Sequence, residues 1–163
     1  MARNVRRIAA SPATIFAVLS DGWLYPGWVV GASRMRQVED SWPQPGSHLY
    51  HSFGSWPFLI DDATTVEECE PDRRMVLLAR GWPMGEARVV IDIKPDGDGA
   101  LVRILEAPVA GPGAWLRAPL DPLLYVRNRE TLRRLALLAE GGAKQAGAEQ
   151  GESRPGEAGG STE

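Results

Sequence analysis

Imidazole and thiol side chains, which ligate metals and can move protons near neutral pH, are few in this chain. There are two histidines, His48 and His51, and one cysteine, Cys69. The histidines lie three residues apart on a segment that reads as a strand, so they point to opposite faces. A mononuclear metal site wants at least three converging ligands. Nothing places Cys69 beside the pair, so no metal site is expected. Along 48–53, His48, Tyr50 and Ser52 share one face, and Leu49, His51 and Phe53 the other. The second face is the more core-like and would turn His51 inward. There an imidazole can serve as a hydrogen-bonding group or a general base, or be an ordinary satisfied core or rim histidine. Glu106 follows Val102 and Ile104 at strand spacing. If that face is inward, its carboxyl is either a desolvated base with a raised pKa or the partner of a nearby arginine. Asp61-Asp62 could suggest paired carboxylates, but adjacent strand residues face opposite ways and read as solvated edge charges. No Ser/His/Asp order, Gly-rich phosphate loop or cysteine pair is present.

These groups must be positioned by a fold of ordinary composition: 163 residues, 44% hydrophobic and 24% charged. That is one domain with enough chain to bury a core unaided. A net charge of −3 favours neither nucleic acid nor an anionic membrane surface as partner. No apolar run approaches the roughly 18 residues of a membrane span. A lone cysteine fits a reducing compartment, so a soluble cytoplasmic protein is expected.

Asn4 to Ala10 reads as a first strand. Ser11-Pro12 then supplies an N-cap and a first-turn proline for a helix whose apolar face is Ile15, Phe16, Val18 and Leu19. A further helical turn falls between Trp23 and Trp28. Six strand-like segments follow, at 32–39, 48–53, 59–70, 74–81, 86–93 and 100–107, separated by turn signals such as Pro71-Asp72 and Asp96-Gly97-Asp98. Ala87, Val89, Ile91 and Ile93 alternate with Glu86, Arg88, Val90 and Asp92, the pattern of an antiparallel strand with one wet face.

The last element is a helix over 119–140. Leu124, Asn128, Thr131, Leu135 and Leu138 step by four and three and so share a face, with Leu120 on the same side, while Arg127, Arg129, Arg133 and Arg134 mostly occupy the flanks and the opposite face. Asn128 breaks its apolar stripe and, if buried, needs a partner: a ligand, a strand or another side chain. Thr131 is read as bonding back to a carbonyl of its own helix. Gly141-Gly142 should stop the helix, and residues 141–163, poor in anything larger than Ala that could pack, should form a disordered tail. The expected division is therefore a domain over 1–140 and a tail over 141–163.

The order strand, two short helices, six strands, long helix is that of the helix-grip fold. Within that order stand Ser11-Pro12 with Phe16, Trp23 and Trp28, Trp42-Pro43-Gln44-Pro45-Gly46-Ser47, Glu70-Pro71-Asp72-Arg73-Arg74, Pro108 to Pro112 and Arg127 to Leu132. By these motifs, over about residues 3–140, the sequence resembles the SRPBCC superfamily (START, polyketide cyclase/dehydrase and Bet v 1-like proteins), and within it the bacterial polyketide cyclase/dehydrase and lipid-transport group. It implies an α+β fold in which a curved seven-stranded antiparallel sheet surrounds a long C-terminal helix. Between them the family holds sterols, lipids or polyketides, without a metal or redox cofactor.

Three functions are compatible with that fold. The chain could bind a small hydrophobic molecule for carriage or sensing. It could be a cyclase or dehydratase using His51 or Glu106 as a base. It could also be an interaction module with a vestigial cavity. Candidate ligand contacts are Trp28, Trp56, Trp82, Trp115, Leu124, Asn128 and Thr131, with Trp23 a further aromatic of the same kind.

Overall fold

The period-two segments pair into one seven-stranded sheet in the order β1-β7-β6-β5-β4-β3-β2, every neighbouring pair antiparallel. The structure is a computed structural model and describes residues 2–55, 57–81, 85–111 and 117–152. The strands are β1 (Ala2–Ile8), β2 (Ala32–Val38), β3 (His48–Ser55), β4 (Phe58–Glu70), β5 (Arg74–Gly81), β6 (Gly85–Asp96) and β7 (Gly99–Ala110). Helices α1 (Pro12–Ser20) and α2 (Tyr25–Trp28) separate β1 from β2, with a 3-10 turn between them, and α3 (Arg117–Glu152) closes the chain. Among the described residues no helix is long and apolar enough to cross a membrane.

Local chemistry accounts for most boundaries. The Ser11 hydroxyl accepts from the Thr14 N–H at 3.1 Å, satisfying one of the orphan donors of α1, and Pro12 supplies a first-turn residue that needs no donor. Asp21 ends α1 and caps the 3-10 turn through the Trp23 N–H at 3.0 Å. Gly97, at φ +61°, makes the tight β6–β7 hairpin between the paired residues Asp96 and Gly99.

The core sits between the concave sheet face and the middle of α3. Ile91, Val102 and Ile104 from the sheet, Ile15 and Leu19 from α1, and Leu132 and Leu135 from α3 are all buried together. The buried stripe of α3 also includes Ala136 and Ala139, small residues that let the helix lie close, while Leu138 is half-buried.

The structure corrects the end of the helix. It begins at Arg117 and runs through Gly141-Gly142 to Glu152 instead of stopping at 140. An interior glycine costs about 1 kcal/mol relative to alanine. The residues beyond the pair are mostly Ala, Gln, Glu and Lys, good helix formers, and Ala143 still packs against the core. The portion 141–152 of the expected tail is thus helix; 153–163 lie outside the described residues.

Leu135 is fully buried whereas Leu137, two positions on, is 58% exposed. Leu135→Ala should cost about 3 kcal/mol of unfolding free energy and Leu137→Ala less than about 0.5 kcal/mol. Urea denaturation of the two variants checks which face of α3 the core uses.

Candidate functional site

Apolar packing between sheet and helix stops short of one end. There a cavity of about 660 Å³ remains, within the usual range for small-molecule pockets. It opens where β3, β5 and β7 finish and β6 begins. Its walls are the sheet residues Leu77, Ala79, Val89 and Ile104, the link from α2 to β2, and the first turns of α3. Leu123 and Val126 stand at its edge, 64% and 65% exposed. Gly31, at φ +101°, shapes the link. A Cβ there would fall 2.2 Å from the Phe53 ring, so only glycine lets that ring lie against the chain.

Strand register decides which polar groups face inward. Leu49, His51 and Phe53 of β3 pair with Thr64, Asp62 and Ile60 of β4. His51 is buried and lines the cavity, with its Nδ1 lacking a hydrogen-bond partner. Burial, and after it the Arg36 guanidinium, pushes its pKa from 6.5 down to about 4. A neutral imidazole is therefore the form present at neutral pH. Tyr25 of α2 leans on it, ring centroids 5.1 Å apart, and meets Trp28 edge-on at 5.2 Å. The Tyr25 hydroxyl is 3.0 Å from Thr64 Oγ1, and burial raises its pKa to about 12, so it stays protonated.

Glu106 faces inward from β7, 3% exposed. Arg127 of α3 donates from Nη2 to both its carboxylate oxygens at 2.5 Å, and Asn128 donates from Nδ2 to Oε2 at 2.8 Å. Of the two roles open to this carboxylate, the arginine-paired one is what the geometry produces. Asn128 likewise finds its partner on a strand side chain, although both residues line the cavity.

Four other expectations change. Thr131 does not bond back to its own helix: its Oγ1 accepts from the Val30 N–H at 3.4 Å, tying α3 to the α2–β2 link. Asp62 is not a solvated edge charge. It is buried on the inner face with Oδ2 unpartnered, and burial raises its pKa, while Asp61 points outward to Ser52 and Arg36. Trp23 is 61% exposed and does not line the cavity. Arg127, read as a flank residue, reaches inward to Glu106. Trp28 and Leu124 do line the cavity. Trp56, Trp82 and Trp115 lie outside the described residues, as does the side chain of Leu120. Sequence reasoning missed Tyr25, Arg127, Leu77 and Ala79. For Arg127 a signal existed, since a buried acid on β7 demands a cation and α3 is rich in arginine. Among the described residues no three His, Cys, Asp or Glu side chains gather as metal ligands would.

Two outcomes follow from these electrostatics. Arg127→Met leaves a buried carboxylate without its cation and should cost about 3 kcal/mol, most of it recovered when Glu106→Gln is added; urea titration of the single and double variants measures this. The folded state keeps His51 neutral down to about pH 4, whereas the unfolded chain takes up the proton below about 6.5. The unfolded state thus binds more protons in that window. Stability is full above pH 6.5 and falls towards pH 4, by about 2 kcal/mol once solvent screening is allowed for. Melting curves should show a smaller loss over the same window for His51→Gln.

The geometry has counterparts among solved structures. The di-domain ARO/CYC StfQ from the steffimycin biosynthetic pathway superposes with a TM-score of 0.70 at 13% identity, over 87% of this chain and 51% of that one. Protein NE0264 from Nitrosomonas europaea gives 0.66 at 17% identity, over 85% and 92%. CalU16 from Micromonospora echinospora gives 0.59 at 14% identity, over 93% and 83%. At such identities these likenesses establish fold alone. No curated protein matches the sequence. The family model for polyketide cyclase / dehydrase and lipid transport matches residues 2–140. With the gripped helix and the cavity beside it, that match places the chain in the polyketide cyclase/dehydrase and lipid transport family of the SRPBCC superfamily.

Proposed function

We propose that the chain binds a small hydrophobic molecule, lipid-, sterol- or polyketide-like, in the cavity between sheet and α3, for carriage or sensing. The observation that carries this reading is the cavity itself. A space of about 660 Å³ with mainly apolar walls and a mouth at one end suits an apolar guest. Water held there would forgo hydrogen bonds, and a guest that replaces it gains the free energy of burying its own apolar surface. An open space of this size speaks against the interaction-module alternative. Cys69 is free and half-buried, with its pKa raised by burial, which suits a reducing compartment such as the cytoplasm.

A second reading, a cyclase or dehydratase, draws on one specific observation: His51 presents a neutral, partly unsatisfied imidazole to the same space. A base so placed can take a proton from carbon flanked by carbonyls. Glu106 is less suited to that task because Arg127 holds both its oxygens. The family and the likeness to StfQ are compatible with either reading.

Titration with the uncharged dye N-phenyl-1-naphthylamine tests the first reading. Its emission should rise saturably on binding. Ala79→Trp, which fills the cavity from β5, should weaken binding by more than about tenfold, or about 1.4 kcal/mol, without lowering the melting temperature. No saturable binding to the wild-type chain would sink the reading. For the second, turnover of a poly-β-ketone mimic should vanish in His51→Gln; turnover that survives removes the histidine from the chemistry.

A further inference from the structure

Three polar atoms of described residues that line the cavity are left without a hydrogen-bond partner: Trp28 Nε1, His51 Nδ1 and Arg127 Nε. Trp28 and His51 are almost wholly buried, 2% and 3% exposed. Tyr25 packs against both rings, so each is a direct neighbour of the same tyrosine on the wall. The Tyr25 hydroxyl is already engaged with Thr64. An indole N–H only donates, and neutral imidazole offers one donor and one acceptor nitrogen. What such a pair lacks is an oxygen. Leaving a buried donor unmatched is costly, so a guest that supplies the oxygen gains over one that does not.

The charges around the cavity narrow the choice of oxygen. Arg127 is matched by Glu106, and Arg80 at the mouth by Glu86, with 3.3 Å between the charged groups. Glu130 is held by Arg133 and Arg134. Among the described side chains that line the cavity, each cation already carries a carboxylate partner, and only the Arg127 Nε–H is left without an acceptor. A carboxylate entering would lose its hydration and lie near Glu86 and Glu106, with no unpaired cation among the described lining side chains to compensate. His51 adds no positive charge at neutral pH, since burial keeps it unprotonated.

We infer that the cavity selects an uncharged apolar molecule bearing a carbonyl or hydroxyl oxygen, which docks against Trp28 and His51, over the carboxylate of the same skeleton. This rests on the proposed binding function. It divides the candidate ligands, favouring ketones, phenols and alcohols and disfavouring fatty-acid anions.

Equilibrium dialysis with three compounds of one ring system at pH 7.5 tests it: naphthalene, 2-acetylnaphthalene and 2-naphthoate. The ketone should bind about fivefold tighter than naphthalene, the worth of one net hydrogen bond, and more than about tenfold tighter than the carboxylate. Trp28→Phe should bring the ketone to the naphthalene level while naphthalene itself is unchanged. His51→Leu, tested alongside in case the first variant does not fold, should also narrow the gap between ketone and naphthalene. Equal binding of ketone and naphthalene, or carboxylate binding as tight as ketone, overturns the inference and leaves the binding function standing. Binding of none of the three overturns both.

Discussion

Glu106 sits at the inner end of β7 where water does not reach freely, and a carboxylate in that position needs a cation and donors close by. Arg127 and Asn128 supply them from two successive positions on α3. The contact therefore joins sheet and helix by a polar clasp at the point where Leu132 and Leu135 no longer fill the gap. Apolar side chains in these positions would draw the two layers together. An ion pair with a fixed geometry instead spans the two layers, and both of its residues line the cavity. The second tie, from Thr131 to the Val30 N–H, fastens the same stretch of helix to the α2–β2 link. Helix, sheet and link are thus bound around the opening by polar contacts, while the far half of the molecule is bound by apolar ones.

This division gives the two halves different work. Around α1 and the middle of α3 the packing is close, with alanines at 136 and 139 admitting the helix to short range. Towards the mouth the wall is built from rings set against one another, Trp28 edge-on to Tyr25 and Tyr25 tilted against His51. Rings of this kind have few rotatable bonds and present flat faces. Such a wall keeps its shape whether or not it is covered, which reduces the cost of ordering a guest beside it.

Much of the fold was legible because period and punctuation agree. The alternation through Val89, Ile91 and Ile93, the Ser11-Pro12 start of α1 and the turns at Pro71-Asp72 and Gly97 are local signals, and the structure uses each of them. The orientation of His51 followed from the apolar company of Leu49. The site resisted reading where the deciding contact was remote in sequence. Glu106 and Arg127 are separated by 21 residues, and nothing within either strand or helix names the partner. Asp62 looked solvated since it carries charge beside another charge, yet register with His51 turns it inward. Gly141-Gly142 looked like a terminus because glycine is a poor helix former, but propagation along good formers outweighs two weak positions.

The continuation of α3 bears on how the molecule can be handled. The helix starts beside the mouth, passes the end of β1, where Glu140 accepts from the Ala9 N–H at 3.0 Å, and continues to Glu152. At 1.5 Å per residue the stretch beyond Ala143 extends roughly 13 Å. The helix thus runs from the cavity-lining stretch 123–131 towards the end of β1 and beyond it to Glu152. A surface tether, a label or a fused partner attached there would stand clear of the entrance by the length of a strut that the chain already provides, whereas attachment at Ala2, paired with Glu106, would crowd it.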